Sequence, residues 1–281
     1  MSLFDRVISV DIGPEGGEGK HIEGIRISFR VDKTATRTIN SATVDLYNLG
    51  DSTREEISGT QNKIIVNAGY AESAGSMEIF RGDVDRFQHI INPPDRISHI
   101  EAGDGEKVLR QTRIALSFSP GASATEILEE IASKLPGISA GEFTITTDKE
   151  YANGWSFVGL AADALDRVAQ SLDASWSIQN NEIQIVPQLG NNQTEAILLS
   201  PESGLLGSPE YIEAIENNLD GVQRPSGWRL RCLLQPQIIP RGIVSVQSEE
   251  VNGNYTVETV LHRGDTHGYE WNSIVEVFEE Q

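Results

Sequence analysis

Four potential ligands crowd into HRGDTHGYE, where His262, Asp265, His267 and Glu270 lie within nine residues. Imidazoles and carboxylates at such spacing are the donor set of a divalent-metal site. The stretch also holds two glycines between alternating apolar segments, which reads as the loop of a β-hairpin. Neighbouring ligands on one loop lack the rigid placement that metal geometry needs. The embedded Arg263-Gly264-Asp265 has the form of an adhesion tripeptide, but no secretion signal accompanies it. GDGEK (Gly103 to Lys107) looks like part of a phosphate loop, yet it lacks the G-x-x-x-x-G-K-[ST] spacing.

Paired carboxylates are the tools of glycoside hydrolysis, which needs two of them across a cleft, one with a raised pKa. Glu129-Glu130 and Glu249-Glu250 are sequence neighbours, which does not supply that separation. Cys232 is the only cysteine, so intrachain disulfides and cysteine zinc sites are excluded. Its apolar surroundings, WRLRCLL, predict a buried thiol. His21, His89 and His99 fall in predicted strands and read as surface or cross-strand residues. Trp155, Trp176, Trp228 and Trp271 lie near element ends and read as core anchors, not as a stacking platform. The sequence therefore assigns no catalytic, cofactor-binding or metal residue, and no cofactor.

The elements that would position any site are mostly strands. HIEGIRISFRVDKT (His21 to Thr34) alternates, with Ile25, Ile27, Phe29 and Val31 on one face and Arg26, Ser28 and Arg30 on the other. Such a pattern suits an antiparallel sheet with one wet face. SATVDLYNL (Ser41 to Leu49), KIIVNAGY (Lys63 to Tyr70), MEIFRGDVDRFQHI (Met77 to Ile90) and RISHIEAGDGEK (Arg96 to Lys107) continue it. DSTREEI (Asp51 to Ile57) is a short helical turn. Glycines 13, 16, 17 and 19 mark one hairpin loop and Pro93-Pro94 another.

After Gly105 the character changes. SATEILEEIASKL (Ser123 to Leu135) predicts a helix with a capping box at Ser123 and Glu126 and an apolar stripe of Ile127, Leu128, Ile131 and Leu135. A second helix is expected from about Phe157 to Asp173, with Ala161, Leu165, Val168 and Leu172 on one face. ASWSI and EIQIVP then form a hairpin turned by Asn180-Asn181. A polar stretch, Leu189 to Ala196, leads back to β sequence: EAILLS, GWRLRCLL, IVSVQSEEV, NYTVETVLHRG and SIVEVFEE. The expected fold is mainly β with an inserted α+β module: a barrel-like β domain over 1–105, the module over 106–190 and a second barrel-like β domain over 191–281.

The formal net charge is −20. Basic residues number 11 against 17 acidic for 1–105, 6 against 11 for 106–190 and 5 against 14 for 191–281, so no segment offers the basic face that specific nucleic-acid binding requires. Acidity serves solubility, or keeps passing DNA from adhering. No apolar run approaches the ~18 residues of a membrane span. The acidic, strand-like N-terminus is unlike a signal peptide, so a soluble protein made in the cytosol is expected.

Taken together, IRISFRVDKT, SATVDLYNLGDSTREEI, KIIVNAGY, IFRGDV and IEAGDGE resemble, in order and spacing, the hub proteins of bacteriophage baseplates. That family joins the tail tube to the central spike of contractile tails. NGNYTVETVLHRGDTHGYEWNS is similar to its final strands. The resemblance covers about residues 5–107 and 245–275 and is weak between. It implies a structural virion protein made in the bacterial cytoplasm, forming a homotrimer with two similar barrels per subunit. The pseudo-sixfold ring would match the sixfold tube protein on one side and the threefold spike protein on the other. It would touch other baseplate proteins and leave a channel for DNA. Alternatives are a cell-wall-degrading tail hydrolase, which predicts a cleft with a raised-pKa carboxylate, and a carbohydrate- or receptor-binding β module, which predicts an aromatic-lined groove.

Overall fold

Alternation in the sequence builds the long strands of the computed structural model, which describes residues 5–14, 16–58, 62–72, 75–188, 190–191, 195–214 and 225–279. The first segment runs β1 (Arg6–Pro14), β2 (Lys20–Ile22), β3 (Ile27–Thr34), β4 (Ser41–Tyr47), helix α1 (Asp51–Ile57), β5 (Asn62–Tyr70), β6 (Gly75–Asn92) and β7 (Asp95–Gly103). Ile27, Phe29 and Val31 of β3 are buried and Arg30 is exposed, as period-two alternation requires. Two expectations are corrected here. His21–Thr34 is two strands, because Gly24 adopts a left-handed φ of 71° that redirects the chain from β1's partner to β4's. The last strand stops at Gly103, and Asp104-Gly105 turn into helix α2 (Glu106–Gln111).

The middle segment holds β8 (Arg113–Phe118), β9 (Ala122–Ser123), α3 (Ala124–Ser133), β10 (Ser139–Phe143), β11 (Glu150–Tyr151), β12 (Trp155–Leu160), α4 (Ala161–Gln170), β13 (Ala174–Gln179) and β14 (Glu182–Pro187). Ser123 caps α3 by accepting from the Glu126 amide at 3.1 Å. Ile127, Leu128, Ile131 and Leu135 are all buried beneath it. The second helix begins four residues later than expected. Phe157–Leu160 pair with β8 instead, and that tertiary pairing overrides any helical reading. Asn180 and Asn181, at φ 54° and 66°, make the tight turn between β13 and β14.

The last segment contributes β15 (Ala196–Leu199), β16 (Glu210–Ile212), β17 (Gly227–Leu233), β18 (Ile243–Gln247), β19 (Asn252–Asp265) and β20 (Trp271–Glu279). The polar stretch Leu189–Ala196 lies partly outside the described residues. Strands of the first and last segments join in one sheet, ordered β16-β17-β20-β19-β3-β4-β7-β6-β5-β1-β2, with β18 and β15 branching from β19. β19 is the seam. Its first half pairs with β18 and its second half with β3, while β20 lines its other edge. Among the described residues no pairing closes this ladder into a barrel, and the two β segments run into one another through β3 and β19.

Three apolar cores follow. One lies within the first segment and takes Leu234 and Trp271 from the last. A second fills the space between α3, α4 and the β13–β14 hairpin. The third is built from the last segment alone.

Candidate functional site

The residues that suggested chemistry are engaged in structure. HRGDTHGYE is the β19–β20 hairpin, as its glycines implied. Asp265 receives a bidentate pair of hydrogen bonds from Arg26 at 3.2 and 2.8 Å, and another from the His267 amide at 2.9 Å. Burial pushes the Asp265 carboxyl up, but the Arg26 and amide hydrogen bonds outweigh it and hold it below the usual carboxylate range. Arg263 pairs with Glu270 at 3.2 Å. Gly264 packs between Phe29 and Trp271, whose rings meet edge-on at 5.5 Å; a Cβ there would fall within 2.6 Å of both. The adhesion tripeptide is therefore a strand segment. Among the described residues no group of three or more His, Cys, Asp or Glu is placed to hold a metal.

His262 is fully enclosed, with Nδ1 2.8 Å from Ser273 Oγ, and burial pushes its pKa down to about 3. Cys232 is buried and its thiol is pushed up to about 12, so the expected structural thiol is found. His21 lies in β2 beside Asp11, whose hydrogen bond raises its pKa. His99 meets Asp45 at 2.6 Å across β4 and β7. Glu129 is exposed on α3 and Glu130 pairs with Lys134. Trp155, Trp176 and Trp271 are buried, and Trp228 packs partly buried against Tyr211.

A buried polar dock that sequence reasoning missed joins the middle segment to the sheet. Lys33 Nζ donates to Asn180 Oδ1 at 2.9 Å, and Asp104 accepts from the Asn181 amide at 2.9 Å. Asn40 Nδ2 donates to the Ile178 carbonyl at 2.7 Å, and Gln179 Nε2 to that of Thr34 at 2.8 Å. From the last segment, Arg241 reaches the Gln188 carbonyl and Ser175 Oγ, each at 3.0 Å. Burial lowers the Lys33 ammonium to about 8 and raises the Asp104 carboxyl. GDGEK thus places a carboxylate, not a phosphate cradle, at its turn. Nothing in the sequence separates these polar residues from surface ones; only the turn Asn180-Asn181 was a signal.

What the molecule presents outward is sheet edge and apolar protrusion. β2 and β16 end the ladder with short strands. Val158 on β12, Ile91 on β6 and Tyr269 between β19 and β20 are 84%, 76% and 102% exposed. Edge strands this short discourage pairing with further strands. No helix among the described residues is long and apolar enough to cross a membrane.

Comparison with known proteins agrees with this layout. The family model described as Baseplate hub gp41 matches residues 7–268. No curated protein matches the chain. A tail protein from Neisseria meningitidis superposes with a TM-score of 0.70 at 11% identity, covering 99% of this chain and 97% of its own. The 43 kDa tail protein of prophage MuSo2 from Shewanella oneidensis gives 0.68 at 11% identity, with 98% and 99% covered. An E. coli component of the type VI secretion system, described as structurally similar to the T4 tail proteins gp27 and gp5, gives 0.61 at 10% identity over 92% of this chain and 74% of its own. These likenesses establish the shared fold.

Proposed function

This chain belongs to the baseplate hub gp41 family, a structural family of the phage tail, and from that premise we propose that three copies assemble into a ring linking tail tube and central spike. The observation that supports this best is the sheet itself. β3 and β19 weld the first and last β segments into one platform, so each copy offers two β regions held in fixed relation. Three copies then present six β regions, which suits a sixfold tube on one face and a threefold spike on the other. The units 1–105 and 191–281 act as these paired regions, and 106–190 stands outside as a module facing other baseplate proteins.

The ring encloses a channel for DNA, and the −20 charge keeps phosphate from adhering to it. The protein is made in the host cytoplasm and functions in the virion without catalysis. Of the carboxylates considered for hydrolysis, Glu130 is paired with Lys134, and of those considered as metal ligands, Asp265 and Glu270 are paired with arginines. A cryo-electron map of the intact tail tests the proposal. Three copies at the tube–spike junction are expected; six copies, or a position elsewhere, would overturn it.

A further inference from the structure

Resting on the ring reading, we propose that Tyr269 of one copy docks into the cleft beside Ile91 of the next, forming the joint between neighbouring copies. Tyr269 stands wholly in solvent at the apex of the β19–β20 hairpin. Its loop is nonetheless rigidly held. Arg6 donates to the carbonyls of Gly268 at 2.7 Å and Tyr269 at 3.4 Å, the Thr266 amide donates to the Ile27 carbonyl at 3.1 Å, and Asp265 caps the His267 amide. An exposed aromatic on a preorganised loop gives up little freedom on binding, which is the chemistry of an interface anchor.

A complementary cleft lies on the same molecule. Leu49, Ile90, Ile91 and Ile97 line a cavity of about 290 Å³, with Arg54 and Arg96 also at its wall. Both arginines share one carboxylate, Asp51, so the wall keeps an excess of positive charge in a strongly acidic chain. An apolar floor with guanidinium groups suits a phenol ring, which stacks on arginine. Beside Tyr269, Glu270 is already paired with Arg263 at 3.2 Å, so the aromatic ring, not a charge, is what the knob brings to the cleft.

The register places both features at one end of the sheet. Asp265 opposes Ser28, Ile27 opposes Leu46, Tyr47 opposes Ile97, and Asp95 opposes Asn92. From β19 to β7 is three strand steps, roughly 14 Å. Knob and cleft are thus different patches on one rim, so contact between copies is head-to-tail, the kind of interface that generates a ring when its rotation closes.

Two measurements test the contact. Tyr269→Ala should raise the concentration needed for assembly at least tenfold while leaving thermal unfolding unchanged. Separately, a Tyr269→Cys chain mixed with an Ile91→Cys chain should form a mixed dimer with a short bis-maleimide, and neither should do so alone; the buried Cys232 stays silent. If wild type forms trimers but Tyr269→Ala assembles equally well and no mixed dimer appears, the joint is overturned and the ring reading survives. A wild-type chain that stays monomeric with tube and spike proteins present overturns both.

Discussion

The imidazole of His262 is enclosed at the seam between β19, β20 and β3, and burial holds its pKa near 3 against an ordinary 6.5. Between those values the unfolded chain binds a proton that the native state refuses. The stability His262 contributes is therefore complete above pH 6.5 and is lost as pH falls toward 3. His262→Gln should flatten this loss, retaining about 2 kcal/mol more than wild type between pH 7 and 5. Urea unfolding at both pH values checks it, and parallel losses would count against a buried neutral imidazole. Asp104 answers the buried Lys33 across the Asn180-Asn181 turn. Asp104→Asn leaves that ammonium without its counter-charge and should cost about 3 kcal/mol, read as a lower urea midpoint. An unchanged midpoint would mean the dock contributes nothing net.

Among the elements, α4 shows what local pattern can and cannot reveal. Leu165 is wholly buried, facing the same core as Trp176, as the stripe of Ala161, Leu165 and Val168 implied. Leu165→Asp should destabilise the protein by roughly 3 kcal/mol or more, because a charge replaces a buried apolar group; unaltered thermal unfolding would contradict that burial. Strands β3 to β7, α1, the cap at Ser123 and the hairpin at Asn180-Asn181 were legible, since alternation, capping and turn chemistry act over a few residues. Phe157–Leu160 were not, because their strand state comes from β8. Nor was the break at Gly24, whose φ depends on where the two halves find partners. The dock of Lys33, Asn40, Asp104 and Arg241 was invisible for the same reason: burial of a polar side chain is a tertiary fact.

For the whole molecule, the decisive event is β19 pairing with β3 across more than two hundred residues of chain. Alternation marked both strands but carried no information on their partnership, which joins the two β segments in one ladder. In the ring proposed above, its end strands and the exposed Tyr269, Ile91 and Val158 are the surfaces left for neighbours. If the ring conducts DNA, its inner face should be richer in Asp and Glu than its rim. Repulsion then acts within about 8 Å, one Debye length at physiological salt. A map of the assembled ring reads this directly, and a lumen lined by Lys and Arg would defeat it. The most direct test of the account is simpler. Native mass spectrometry of the purified chain, alone and mixed with its tube and spike proteins, should give a species of three times 30.8 kDa. A strict monomer in every mixture would contradict the account.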